Sequence, residues 1–304
     1  MITVLAVILV IGGVIFIHEL GHFLFAKATG MRVERFSVGF PPRLIGKKIG
    51  DTDYCISAIP LGGYVKVSGV IDESMDTEGV NSNEPWNYES KKTYQKGLYI
   101  TGGVIFNLLF SVLIFMILTI RSGIFEPNPE PVVNEVITNL PADQAGIKTG
   151  DRILAVNDVK IDSWEDMTKQ IHNYPDQEIS IRWRHVNQEY EKSLTTVSNM
   201  ILDGSKLVKV GLIGISPAYT HRNAGFFEAM GSGFNNTWYW LKVTVISLKM
   251  LVTGEESLKN IGGPIFIAQL AGESAKSGLA SLLGLMAIIS INLALINILP
   301  IPAF

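Results

Sequence analysis

Three long runs of apolar residues dominate the pattern along this chain. The first run, residues 1–26, contains one charged side chain, and the runs at 97–120 and 277–304 contain none. A helix that crosses a lipid bilayer needs about 20 mostly apolar residues, so we expect three transmembrane helices. The first run has no basic amino-terminal region and no small-residue cleavage site after it, which favours a retained helix over a signal peptide.

Between the first two runs, residues 27–96 show patterns typical of β-strands. Residues 31–39 roughly alternate apolar and polar side chains, and residues 54–67 contain two short strands around a Pro-Leu-Gly-Gly turn. The Phe-Pro-Pro segment at 40–42 predicts a break, and the polar, acidic stretch 71–93 predicts a loop. We therefore expect a β-loop and a linker ahead of the second helix.

The region between the second and third runs predicts a separate folded module. After a short linker at 121–127, residues 128–217 indicate one β-rich domain with several strands and two helices. Residues 218–276 are then expected to form helices. Within them, residues 222–260 combine aromatic residues typical of membrane interfaces with an interrupted apolar run, which favours an interfacial amphipathic helix over a fourth span. A helix packed on the β-rich domain is an equally good interpretation.

Composition supports a membrane protein and excludes some other classes. Hydrophobic residues make up 47% of the chain and charged residues 17%, against about 25% charged in typical soluble proteins. The net charge is −3 and no basic stripe is present, so we expect no nucleic-acid partner. The single cysteine, Cys55, rules out an internal disulfide. We also expect no small-molecule cofactor.

Lysine and arginine counts predict the orientation of the helices. No basic residue precedes the first run, whereas six lie within residues 27–48 and three within 91–96. Cytoplasmic loops are enriched in these residues. We therefore expect residues 27–96 on the cytoplasmic side, and the amino terminus and residues 121–276 on the outer side.

The sharpest chemical motif is His18-Glu-Leu-Gly-His22 within the first apolar run. Residues four apart project from one face of a helix, so the two imidazoles can bind one zinc ion at about 2.0–2.1 Å. Glu19 lies beside them and can accept a proton from the metal-bound water. Ionisable residues are costly inside a bilayer, and three within five positions favour a shared Zn²⁺ over a chance pair of surface histidines.

With this motif, the chain resembles the site-2 protease family of intramembrane zinc metalloproteases, in its bacterial regulator-of-sigma-E protease branch. The resemblance covers nearly the whole sequence. Besides residues 18–22, it rests on Gly103-Val-Ile-Phe-Asn107, Asn297-Ile-Leu-Pro-Ile-Pro302, the Gly262–Ile265 run and a single PDZ-like module around residues 145–157.

The resemblance implies a polytopic α-helical membrane protein with a cytoplasmic-side, membrane-associated β-loop and one β-rich, PDZ-like extracytoplasmic domain. It implies an endopeptidase of the bacterial inner membrane, with its active site near the cytoplasmic side of the lipid bilayer. Its substrates would be the transmembrane segments of single-span membrane proteins, such as anti-sigma factors or signal-peptide remnants. The PDZ-like domain would bind peptide chain ends or act as a size filter.

Matched residue by residue, the resemblance makes His18 and His22 zinc ligands and Glu19 the catalytic base. It implies substrate-binding roles for seven further residues: Gly62, Gly63, Tyr64, Asn107, Asn297, Pro300 and Pro302. The segment 62–65 would pair with an unwound substrate as an added strand. A second interpretation remains open for Asn107, which could bond a neighbouring helix without touching substrate, and for Gly103, which could allow close helix packing.

The chain departs from the family pattern at its carboxyl end. Family members continue with Leu-Asp-Gly, whose aspartate is the third metal ligand, whereas this sequence ends at Ala303-Phe304. Catalytic zinc usually has three protein ligands and one water. We therefore expect a truncated chain, which as written would bind zinc weakly and be inactive.

Two other functions are compatible with parts of the sequence. One is a non-catalytic PDZ membrane adaptor or chaperone with a vestigial metal motif, although such a scaffold has no use for a buried base such as Glu19. The other is a soluble-type metallopeptidase with a membrane anchor. The position of the HExxH motif inside an apolar run argues against this second function.

Overall fold

The computed structural model describes residues 2–70, 84–203, 206–254 and 262–298. The chain folds as two compact units. Unit 1 comprises Met1–Arg121 and Gly225–Phe304, and unit 2 comprises Ser122–Ala224.

The amino-terminal part of unit 1 has two long helical segments with a sheet between them. Its elements are α1 (Ile2–Val7), a π-helical turn (Ile8–Gly12), α2 (Gly13–Ala28), β1 (Val33–Ile49), β2 (Thr52–Val67), a 3₁₀ turn (Tyr88–Ser90) and α3 (Thr93–Ser122). Helix α3 begins four residues before the predicted span. The extension is stabilised by a cap, because the backbone N–H of Lys92 donates to Gln95 Oε1 at 3.1 Å.

Strands β1 and β2 pair antiparallel and fold back on each other. Residues 35–38 pair with both 63–66 and 53–56, and residues 43–49 pair with 52–57. The predicted break at 40–42 is wrong, because strand β1 continues through these residues and its pairing with β2 resumes with a shifted register. Gly39, at φ +92°, turns the backbone there in a conformation that favours glycine. One apolar cluster packs this sheet on α2 and α3: Ala26, Met31, Val33, Val65, Val67 and Tyr99.

Unit 2 is a β-rich domain with two short helices. Its elements are β3 (Ile124–Pro127), β4 (Val133–Val136), α4 (Pro141–Ala145), β5 (Arg152–Val156), β6 (Val159–Lys160), α5 (Trp164–His172), β7 (Glu178–His185), β8 (Gln188–Thr195), β9 (Val197–Asp203), β10 (Lys206–Leu212), β11 (Ile215–Pro217) and β12 (Tyr219–Arg222). The central sheet has the order β6-β5-β7-β8, and the remaining strands form the pairs β4–β11, β9–β10 and β3–β12. Ser163 caps α5 by accepting the Asp166 N–H at 3.1 Å. Large apolar side chains fill the core, among them Ile153, Met167, Ile179 and Ile181.

The carboxyl-terminal part of unit 1 adds three helices: α6 (Phe226–Thr253), α7 (Pro264–Ser277) and α8 (Leu279–Ile298). Among the described residues, three helical stretches are long and apolar enough to cross a membrane: Ile2–Ala28, Thr93–Ser122 and Leu279–Ile298. Three such helices together with a β-rich unit are the architecture of a membrane-embedded protein with one folded domain.

Helix α6 belongs to unit 1 together with these spans, whereas the sequence left open that it belongs with the β-rich domain. The hydroxyls of Thr119 on α3 and Ser232 on α6 lie 3.0 Å apart. Further along, Thr244 donates to Asn292 Oδ1 of α8 at 2.7 Å. Interhelical hydrogen bonds of this kind, together with close packing, hold helices together where lipid removes the hydrophobic driving force.

Candidate active site

The candidate active site lies where α2 crosses α3, and glycines make this crossing possible. A methyl group added at Gly102 would lie 2.8 Å from the Gly21 carbonyl oxygen. One added at Gly103 would lie 2.5 Å from Cε1 of His18. Neither position can hold a side chain without moving a helix or the imidazole. Gly21, inside the His-Glu-Leu-Gly-His motif, is thus a packing residue that brings the motif against α3.

The crossing holds both imidazoles in a defined orientation. The Nε2 atoms of His18 and His22 lie 3.1 Å apart. The Nδ1 atom of His22 lies 2.8 Å from the backbone carbonyl oxygen of Tyr99. A carbonyl oxygen can only accept, so Nδ1 of His22 carries the hydrogen and Nε2 keeps its lone pair. This is the tautomer that a metal ligand needs, and the backbone of α3 enforces it.

The geometry of the two imidazoles fits one shared zinc ion. Two nitrogens that each lie about 2.0–2.1 Å from a tetrahedral zinc are about 3.3 Å from each other, and the observed separation is 3.1 Å. Two lone pairs at this distance repel each other unless a proton or a cation lies between them. The described residues contain no group of three His, Cys, Asp or Glu side chains that could hold a metal, so they supply His18 and His22 as a pair.

The structure brings three more of the predicted site residues to this pair. Glu19 is partly buried and follows His18 directly on α2. Asn107 is fully buried on α3, and its Nδ2 lies 3.2 Å from Nδ1 of His18. Asn297, near the end of α8, is exposed and places its Nδ2 3.2 Å from Nε2 of His18. The two prolines, Pro300 and Pro302, lie outside the described residues.

The predicted substrate-binding strand, residues 62–64, lies against α2. A methyl group added at Gly62 would lie 3.0 Å from Cγ2 of Ile15, one turn before Glu19. Gly63 and Tyr64 pair with β1, and the Tyr64 hydroxyl accepts a hydrogen bond from Arg35 at 3.0 Å. All three residues of this segment are buried. An incoming strand can therefore pair with them only after the segment is uncovered.

Sequence reasoning missed the groups that support the imidazoles. The Tyr99 carbonyl is backbone and leaves no signature in the residue types. Two serines converge on the Asn107 backbone carbonyl, Ser111 at 2.9 Å and Ser290 at 3.0 Å, and both are fully buried. The available signal was their polarity, since a serine in an apolar span needs a partner and often finds it on a neighbouring helix.

Two imidazoles whose Nε2 atoms lie 3.1 Å apart within an apolar helix are compatible with the site of a membrane-embedded metalloenzyme. The chain belongs to peptidase family M50, whose family model matches residues 6–304. This confirms the resemblance to the site-2 proteases and identifies a zinc metalloprotease, with Zn²⁺ as its cofactor.

Individual relatives agree with this assignment. A provisionally named zinc metalloprotease of Clostridium acetobutylicum is 35% identical over 301 residues, covering 99% of this chain and 83% of the relative. The zinc metalloprotease RasP of Geobacillus kaustophilus is 26% identical, covering 99% of this chain and 86% of the relative. Among solved structures, the PDZ domain of a Listeria monocytogenes protein covers 31% of this chain and 93% of its own, at 17% identity and a TM-score of 0.24. That likeness is too weak to assign the fold of unit 2.

Proposed function

We propose that this metalloprotease is an intramembrane endopeptidase that cleaves the transmembrane segments of single-span membrane proteins. The observation that carries the proposal is the placement of the histidine pair. Their Nε2 atoms lie 3.1 Å apart within a helix of 27 residues that is apolar enough to span a membrane. A peptide bond hydrolysed at this site would lie within the lipid layer.

In this proposal, His18 and His22 hold the zinc ion. When bound there, the ion would supply Lewis-acid chemistry toward the scissile carbonyl and would lower the pKa of a water molecule. Glu19 accepts the proton of the attacking water and passes it to the nitrogen of the leaving amine. Because Glu19 follows His18 on one helix, base and ligand are fixed relative to each other.

Substrate binding in this proposal uses the groups around the imidazoles. Asn297 is exposed beside His18, which suits contact with a substrate backbone. Once uncovered, residues 62–64 would add the unwound substrate to β2 as a strand, because a helix must open before its peptide bonds can be attacked. Pro300 and Pro302 would shape the same region, as the family resemblance implies.

The proposed setting is the inner membrane of a bacterium. Basic residues at 27–48 and 91–96 support a cytoplasmic position for the β1–β2 sheet. Unit 2 would then be the extracytoplasmic, PDZ-like domain, and the active site would lie near the cytoplasmic side. Anti-sigma factors or remnants of signal peptides are the proposed substrates.

The test is cleavage of a single-span reporter in proteoliposomes by the purified whole protein. We expect Glu19→Gln to retain zinc but to lose cleavage by roughly 10²- to 10⁴-fold, the usual contribution of a positioned acid–base group. Glu273→Gln, at an exposed glutamate of α7, is the matched control and should cleave normally. Equal cleavage by Glu19→Gln would exclude the role of Glu19. Absence of zinc from the active protein would overturn the whole proposal.

A further inference from the structure

Two asparagines contact the same imidazole from opposite sides. Asn297 lies 3.2 Å from Nε2 of His18 and is exposed, whereas Asn107 lies 3.2 Å from Nδ1 and has no exposed surface. A residue with no exposed surface cannot meet a substrate while the helices stay packed. The two asparagines therefore have different tasks.

The chemistry of a metal ligand decides what Asn107 must do. His18 can bind a metal through Nε2 only if its hydrogen is on Nδ1, and that N–H then needs an acceptor. The Asn107 amide presents its NH₂ group to Nδ1 of His18, and its Oδ1 is buried without a hydrogen-bond partner. Amide oxygen and nitrogen are interchangeable by a 180° rotation of the group. The rotation places Oδ1 opposite the Nδ1–H.

Resting on the proposed metal site, we infer that Asn107 is a positioning residue for His18 and not a substrate contact. Its Oδ1 accepts the hydrogen bond from Nδ1–H in the metal-loaded enzyme and so keeps the Nε2 lone pair aimed at the metal. The Tyr99 carbonyl does the same for His22. Each of the two imidazoles is thus oriented by an acceptor from α3.

The surroundings of Asn107 support a positioning role. Its backbone carbonyl accepts hydrogen bonds from Ser111, one turn further along α3, and from Ser290 of α8. The Ser111 hydroxyl also lies 3.0 Å from the Ala287 carbonyl oxygen of α8, so its one hydrogen is shared between two acceptors on neighbouring helices. These contacts with α8 hold Asn107 at the level of α3 where it contacts His18 of α2.

The experiment measures zinc affinity directly. The whole protein is stripped of metal with a chelator and titrated with Zn²⁺ against a chromophoric competitor. We expect Asn107→Leu, which has similar volume and no acceptor, to raise the zinc dissociation constant roughly 10- to 100-fold, as loss of a ligand's hydrogen-bond partner does. Asn107→Asp keeps an acceptor oxygen and should stay within a few-fold of wild type. Asn297→Leu is the matched control, and it should leave zinc affinity unchanged while raising KM.

Each outcome separates this inference from the proposed function. Wild-type zinc affinity in Asn107→Leu, with a raised KM, would make Asn107 a substrate contact and overturn the inference alone. Equal loss in the Leu and Asp variants would also overturn it, because the acceptor would then be irrelevant. A wild-type protein that binds no zinc, or a His18→Ala variant that binds it equally well, would overturn the metal site itself.

Discussion

The helix crossing in unit 1 and the core of unit 2 are built in opposite ways. At the crossing, three glycines let two backbones touch, the Asn107 amide contacts His18 of α2, and the Ser111 and Ser290 hydroxyls link α3 to α8. In unit 2, large side chains such as Ile153, Ile181 and Trp183 fill the interior. Both regions are well packed, but the crossing is packed through glycines and unit 2 through large apolar side chains.

The difference follows from the solvent around each region. Burying apolar surface away from water yields about 25 cal/mol per Å², so a domain in water is stabilised by large side chains. Lipid tails are as apolar as leucine, so helices in a membrane gain little free energy by burying apolar side chains against each other. They associate instead through close backbone contact and interhelical hydrogen bonds. His18 and His22 lie at such a close approach, where α2 meets the glycines of α3.

The strongest test of this comparison is Gly103→Ala. The added methyl group would lie 2.5 Å from the His18 ring, so we expect the variant to lose stoichiometric zinc binding. Gly97→Ala, on the same helix with no atom within 4 Å of its added methyl group, should bind zinc normally. It should also gain up to about 1 kcal/mol of helix stability. Metal analysis of the purified proteins checks both, and full zinc occupancy in Gly103→Ala would contradict the tight crossing.

The second test removes a large side chain from unit 2. Ile181 is fully buried, and Ile181→Ala should lower the unfolding free energy of this unit by roughly 2–5 kcal/mol through lost burial and a cavity. Hydrogen–deuterium exchange of unit 2 amides in the whole protein measures the change. Ile137→Ala, at a side chain that is 49% exposed, is the control and should cost less than about 1 kcal/mol. Zinc content should not change in either variant, and its loss in Ile181→Ala would show that the two regions are coupled.

The smallest expected effect concerns a surface charge of unit 2. Lys209 lies 2.6 Å from Asp176, and its hydrogen bond, with another from Ser198, holds the pKa of the Asp176 carboxyl below its ordinary value. A lowered pKa means that the ionised form stabilises the fold at neutral pH. This contribution is lost as the pH falls through the folded-state pKa. Asp176→Asn should therefore be slightly less stable than wild type at pH 7 and equally stable in strong acid.

Thermal unfolding at several pH values follows this difference. Asparagine tolerates the left-handed backbone at this position, where φ is +53°, so the variant tests charge and not strain. A stability gap between the two proteins that widens on acidification would contradict the assigned direction of the pKa shift.

Sequence patterns predicted the long elements well because their causes are local. Three apolar runs gave three candidate spans, and the four-residue spacing of His18 and His22 anticipated two imidazoles on one face. The supporting contacts could not be predicted in the same way. The Tyr99 carbonyl and the approach of Gly21 to Gly102 depend on which turn of α3 meets α2. The relative position of the two helices depends on how they pack together, so it cannot be predicted from the sequence of either helix alone.

The π-helical turn at Ile8–Gly12 has a consequence for the first span. A π turn accommodates one residue more than an α turn, and one residue corresponds to about 100° of rotation about the axis. Before the turn, Thr3 packs against Gly272 of α7, and at its end Gly12 backs onto the Pro60 carbonyl of the sheet. The extra residue therefore changes which side of the helix faces each of these two partners. The continuous helical stretch can thus face α7 at its amino-terminal end and still present its histidines to α3 at the other.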